Sequence, residues 1–127
     1  MAATAVSLAV SDVAAATGLT THTLRYYERA GLMLTPIDRA GSTHRRYSEA
    51  DVNWVVFLTK LRATAMPIRR VREYVELVRA GESTTLQRLD LLITHRQTVL
   101  AQLDEMTRSL AAIDTKIAIY AEKAGKQ

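Results

Sequence analysis

The chain of 127 residues contains no cysteine, and that absence removes several classes of protein at once. Disulfides, thiolate metal sites, a cysteine nucleophile and thiol redox sensing are all excluded. Punctuating residues are scarce as well, with 2 prolines and 5 glycines. They fall where elements should end: Gly18, Gly31 and Gly81 close helical patterns, Pro36 and Gly41 mark a turn, and Pro67 opens a helix. The opening MAATAVSLAV is too short to span a bilayer and has no basic n-region, so it reads as a frayed start before a short apolar segment. Nothing in the sequence calls for a membrane, and a cytoplasmic location is expected. A catalytic constellation is lacking too, because the carboxylates Asp51, Glu73 and Glu76 and the histidines His22, His44 and His95 are scattered over helix surfaces and a wing. The expectation is a non-enzyme with no cofactor and no metal.

What is present suits a small domain with one extended element: 48% of residues are hydrophobic, enough for a modest core. The net charge of +4 is unevenly placed. Residues 1–80 hold 11 Lys/Arg against 7 Asp/Glu, whereas residues 81–127 hold 6 of each. The first region is therefore the candidate phosphate-facing one, although a merely solvated basic surface would leave the same imbalance.

From Ser11, the stretch SDVAAATGLTTHTLRYYERAG predicts helix, tight turn, helix. Ser11 is placed to cap the first helix, Gly18 to supply a left-handed turn, and Thr20 or Thr21 to cap the second. Val13, Leu19 and Leu24 form the internal contact, the arrangement of a helix-turn-helix. With Leu24 inward, Arg25 lies about 100° and Tyr26 about 200° round the helix, so both face out, while Tyr27 sits at the edge of the packing surface. The next stretch, MLTPIDRAGSTHRRYSEADV, predicts a β-ribbon bearing Arg39, His44, Arg45, Arg46 and Tyr47. That basic and aromatic group is suited to phosphates.

Ser48 to Asp51 resembles a capping box, opening a helix in which Trp54 and Phe57 are assigned to the core. A second helix starts near Pro67 with Ile68, Val71, Val75 and Val78 inward and Arg69, Arg70, Arg72 and Glu73 outward. Cations in a first turn oppose the helix dipole unless an anion is near, and a DNA phosphate would be one. The terminal helix carries a heptad: Leu89, Arg96, Leu103, Leu110 and Ile117 at a, with Leu92, Val99, Met106, Ile113 and Tyr120 at d. A helix from Thr84 to Ala121 would run roughly 57 Å, too long to be covered by so small a body. A homodimeric coiled coil is expected. Arg96 interrupts the seam, either pairing with Asp104 or Glu105 of an antiparallel partner or snorkelling outward.

These residues carry a resemblance. SDVAAATGLTTHTLRYYERAGLM, then HRRYSEADVNWVVFLTKLRATAMPIRRV and a terminal coiled-coil helix, resemble the MerR family of transcription regulators over residues 8–121. The Trp54-to-Phe57 spacing and the AMPI segment are most similar to its aldehyde-responsive branch, called AdhR- or NmlR-like. The resemblance implies a mainly α fold: a winged helix-turn-helix DNA-binding domain over residues 1–80, and a linker and dimerisation helix over residues 81–127 forming an antiparallel coiled coil. It implies that Thr21, His22 and Arg25 approach bases or phosphates in the major groove of double-stranded DNA while Tyr26 and Tyr27 hold the backbone. Arg39, Arg45, Arg46 and Tyr47 would grip flanking backbone, with His44 beside them, and Arg69 and Arg70 would contact phosphates. For Tyr27 and Tyr47, core packing is the alternative role.

The implied activity is binding of a pseudo-palindrome in a promoter with an overlong spacer, which the homodimer bends and untwists to realign the elements for RNA polymerase. Two rivals carry other expectations. An excisionase-like architectural protein would bend DNA without controlling transcription, and a coiled-coil adaptor would show no steep salt dependence with DNA. The branch's reactive cysteine is missing, with Thr59 and Lys60 standing near its place. Two modes of regulation remain: a non-covalent small-molecule effector at the coil and the second helix pair, or a constitutively competent dimer. Met66, Met106 and Tyr120 could line such a site or simply pack; Lys60 is either a solvated lysine or a Schiff-base former.

Overall fold

The computed structural model describes residues 8–34, 38–39 and 45–126, with the backbone alone at 38, 39, 45 and 46. The element order is β1 (Leu8–Ala9), α1 (Val10–Thr17), α2 (Thr21–Arg29), β2 (Asp38–Arg39), β3 (Arg45–Tyr47), α3 (Glu49–Ala63), α4 (Ile68–Arg79), a 3-10 turn (Glu82–Thr84) and α5 (Thr85–Gly125). The architecture is mainly α, a winged helix-turn-helix followed by one long helix. Two compact units result, Met1–Arg88 and Leu89–Gln127.

Local chemistry sets each boundary. Helix α1 begins one position before Ser11, with Ala9 at the N-cap. The Asp12 carboxylate, at the third position of the helix, accepts from the Ala9 amide at 3.3 Å, and Ser11 is not the cap. Gly18 ends the helix at φ 76, a left-handed conformation that costs a residue with a Cβ about 1 kcal/mol. Thr20 caps α2 by accepting from the Thr23 amide at 3.0 Å. Ser48 and Asp51 form the reciprocal box at the start of α3, at 3.1 and 2.9 Å.

The sheet is antiparallel in the order β1-β3-β2, with Leu8 opposite Tyr47, Ala9 opposite Arg46, and Arg46 and Arg39 aligned with Asp38 and Arg45 respectively. The third strand, β1, was not expected. Leu8 and Ala9, in the short apolar segment, are paired in the sheet, and the start expected to be frayed before them lies outside the described residues. Around the sheet and helices the core collects Val13, Leu24, Leu32, Tyr47, Val55, Leu58, Met66, Val71 and Val75, each with at most 2% of its surface exposed. Leu19 is half-buried, and so are Trp54 and Phe57, which share a face with Tyr74. The Trp54 and Tyr74 rings stack at 5.8 Å and 12°, with Phe57 tilted against Tyr74 at 5.7 Å. Burial pushes the Tyr74 hydroxyl above its usual range, and the Arg88 guanidinium partly opposes that shift.

Helices α2 and α3 end in the same way. After α2, Gly31 (φ 72) donates to Glu28 and Leu32 donates to Tyr27, at 3.2 and 2.9 Å. After α3, Ala65 (φ 68) donates to Arg62 and Met66 donates to Leu61, both at 3.0 Å. Both are Schellman turns, but only the first has glycine at the left-handed position.

The first unit extends to Arg88, later than the expected boundary at residue 80. The 3-10 turn hydrogen-bonds backward: the Thr84 hydroxyl donates to the Leu77 and Gly81 carbonyls, and Arg88 Nη2 donates to the Gly81 carbonyl at 3.2 Å. In the second unit, Leu91 is the one buried residue among those described, and Leu92 and Val99 are half-buried. Every residue from 101 to 126 is exposed.

Candidate nucleic-acid interface

Burial of Leu24 and Tyr27, three residues apart, fixes how α2 is turned. The exposed positions are then His22, Arg25, Tyr26 and Arg29, which follow the i, i+3, i+4, i+7 rule of one helical stripe. Thr21 is half-buried at its edge. Two guanidinium forks, an imidazole and a phenol project from one face, a set able to bond base edges and phosphate oxygens. Arg29 completes the stripe and was not among the residues singled out from sequence, although the spacing from His22 already implied it.

Two of the rings assigned to the duplex lie in the core. Tyr27 is 5% exposed, with its hydroxyl 3.4 Å from the Thr59 hydroxyl, and Tyr47 is fully buried on the central strand. Each serves as a packing ring, which is the alternative role its sequence context allowed. Tyr26 points outward, its ring 6.0 Å from that of Tyr27. In the wing, Arg39, Arg45 and Arg46 occupy β2 and β3, with backbone alone described, and His44 lies outside the described residues.

At the start of α4, Arg69 is exposed, whereas Arg70 is engaged with Glu73 at 2.6 Å. The helix has no acidic residue in its first turn and no side-chain cap, so its dipole and Arg69 present positive charge together. Arg72 was expected merely to face out. It is exposed, but its guanidinium donates to the Ala30 carbonyl at 2.8 Å, just after α2.

On α5, the seam residues Leu89, Leu103, Met106, Leu110, Ile113, Ile117 and Tyr120 are 53 to 70% exposed. Arg96 is exposed as well, and Asp104 is paired within its own helix to Arg108 at 3.2 Å. Met66 is buried and Lys60 exposed. No group of three or more His, Asp or Glu among the described residues could hold a metal ion.

A helix-turn-helix with a three-stranded wing and a long terminal helix defines a class, the winged helix-turn-helix proteins. Residues 8–77, over half of the chain, match the family described as the MerR HTH family regulatory protein, and the chain belongs to that family. It is similar to the HTH-type transcriptional regulator AdhR of Bacillus subtilis (strain 168), with 37% identity over 91 residues, 72% of this chain and 64% of that protein. The chain thus spans just under two thirds of that relative's length. Its fold is similar to that of HiNmlR, a MerR family regulator lacking the sensor domain and captured on promoter DNA: TM-score 0.85, 27% identity, 91% of this chain and 86% of that one. A MerR family transcriptional regulator from Bacillus thuringiensis aligns with a TM-score of 0.80 and 27% identity over 89% of this chain and 98% of its own.

Proposed function

We propose that this chain is a sequence-specific, DNA-binding transcription regulator that acts as a homodimer on a pseudo-palindromic promoter site. The observation that carries the reading is the outward stripe of α2, where His22, Arg25, Tyr26 and Arg29 stand together on a helix-turn-helix. Thr21, His22 and Arg25 read base edges, Tyr26 and Arg29 hold phosphates, and the wing arginines Arg39, Arg45 and Arg46 with Arg69 and Arg70 extend the grip along the backbone. The α5 seams of two copies pair as an antiparallel coiled coil, so each grip is doubled. The dimer bends and untwists the promoter spacer, and RNA polymerase is the partner that benefits. HiNmlR's capture on promoter DNA supports this, and the long apolar seam of α5 disfavours a purely architectural protein. With no helix among the described residues long and apolar enough to cross a membrane, the reading needs no membrane partner.

Selection of duplexes from a random pool tests it. The expected product is a pair of inverted half-sites that map within promoter spacers. Absence of enrichment, or binding indifferent to salt, would overturn it.

A further inference from the structure

Four consecutive carbonyls follow α2, and each accepts a hydrogen bond from a side chain of α3 or α4. Arg72 Nη1 donates to Ala30 at 2.8 Å. Arg79 Nη2 donates to Gly31 at 2.8 Å and also to Met33. Trp54 Nε1 donates to Leu32 at 2.7 Å. The last carbonyls of a helix are acceptors without intrahelical partners and carry the negative end of its dipole. The Schellman turn satisfies those of Tyr27 and Glu28 from within, and the carbonyl of the C-cap Ala30 and the three that follow it are met from outside.

Two of the three donors are themselves held. Arg79 Nη1 is fixed by Glu76 at 2.8 Å, and the Trp54 indole is stacked on Tyr74. Arg72 and Arg79 are seven residues apart, two turns of α4, and so lie on the same side of it. The planar fork bonds a carboxylate through one nitrogen and two carbonyls through the other; an ammonium has three donors but a single nitrogen, and cannot serve two such separated positions. Exposed arginines are ordinarily solvated, so two of them spent on backbone carbonyls call for a reason.

The geometry points to Arg72, Arg79 and Trp54 as positioning residues for DNA recognition, locking the exit of α2 to α3 and α4. The inference rests on the DNA-binding reading above. Base readout requires contacts held within about 0.5 Å, whereas non-specific attraction to phosphates does not. Deforming DNA also needs a stiff grip, since a hinged helix would yield before the duplex does. The clamp makes the stripe of α2 and the Arg69 end of α4 one rigid frame.

Arg79→Lys separates positioning from phosphate contact, because it keeps the charge and loses the fork. Affinity is measured for a duplex selected by the wild type and for a scrambled duplex of equal composition, over a salt series. Arg79→Lys is expected to weaken the selected duplex about tenfold while leaving the scrambled one within about threefold and its salt slope unchanged. Arg72→Gln, which loses a single bond, should move the same ratio less, and it carries the test if a thermal melt finds Arg79→Lys unfolded. Equal losses on both duplexes, or an unchanged selected duplex in a folded variant, would overturn the clamp. A wild type that enriches no duplex would instead defeat the DNA-binding reading itself.

Discussion

Residues 1–88 and 89–127 treat their apolar side chains in opposite ways. In the first unit Val13, Leu24, Tyr47, Val55, Leu58 and Val71 have no exposed surface, and helix ends and turns are tied by side-chain hydrogen bonds. In the second, Leu103, Met106, Leu110, Ile113, Ile117 and Tyr120 stand open on a helix of 41 residues, about 62 Å long. A helix draws most of its stability from burying an apolar face, so the second unit calls for a partner along its seam. The first unit obtains its core from its own sequence; in the homodimer proposed above, the second would obtain it from another copy.

The strongest way to break that comparison is Leu103→Asp. In a dimer it would place carboxylates in an apolar seam at a cost of several kcal/mol unless they protonate or the coil opens. Sedimentation should shift from dimer to monomer, with lost helical signal and with the surroundings of Trp54 retained. A wild type that sediments as a monomer at about 10 μM would remove the premise. The converse change is Leu58→Ala, at a position with no exposed surface. It should cost about 3 kcal/mol through the cavity left behind, read as a lower melting temperature, without changing the oligomeric state. If either variant produces the other's phenotype, the division of labour between the units is wrong.

A third, smaller effect sharpens the comparison on the basic side. Arg29→Gln removes one charge from the α2 stripe, so binding to all duplexes should weaken by roughly 1 kcal/mol and the salt slope should fall by about one. Arg108→Gln, on α5 and paired with Asp104, should leave both unchanged. A matching loss from the two would mean that total charge, and not the stripe, sets affinity.

Much of this was legible in the sequence because the signals are local. Ser48 and Asp51 are three residues apart, Gly18 sits at its own turn, and the heptad repeats every seven residues. What escaped depends on distant partners. Strand β1 is two residues long and has no periodicity to read; it exists because β3 lies beside it. Tyr27 and Tyr47 each carry both a packing ring and a hydroxyl, and only tertiary burial decides between the two uses. Arg72 and Arg79 reach carbonyls more than forty residues earlier in the chain, which no spacing rule can find. The expected cap at Ser11 is two positions late: the N-cap is Ala9, and the Asp12 carboxylate accepts from its amide.

The smallest predicted effect lies at the two Schellman turns of the first unit, which have the same bonds and different residues. Ala65 holds φ 68 and Gly31 holds φ 72, so the same left-handed backbone is occupied once by a residue that resists it and once by one that does not. A Cβ there costs about 1 kcal/mol against the following carbonyl. Glycine removes that cost but loses more chain entropy on folding, about 0.5 kcal/mol of the gain. Ala65 is exposed, so little packing is lost with its methyl group. Ala65→Gly should therefore stabilise the chain by about 0.5 kcal/mol, and Gly31→Ala should destabilise it by a similar or slightly larger amount. At Gly31 a Cβ would meet nothing within 4 Å, which leaves backbone conformation as the sole cause. Urea denaturation at fixed protein concentration, followed by Trp54 fluorescence, reads both changes as shifts in midpoint at constant slope. Opposite signs are the expected pattern. If Ala65→Gly destabilises instead, the α3–α4 turn is held by the Arg62 hydrogen bond to the Met66 carbonyl at 2.6 Å, and the left-handed residue is not its weak point.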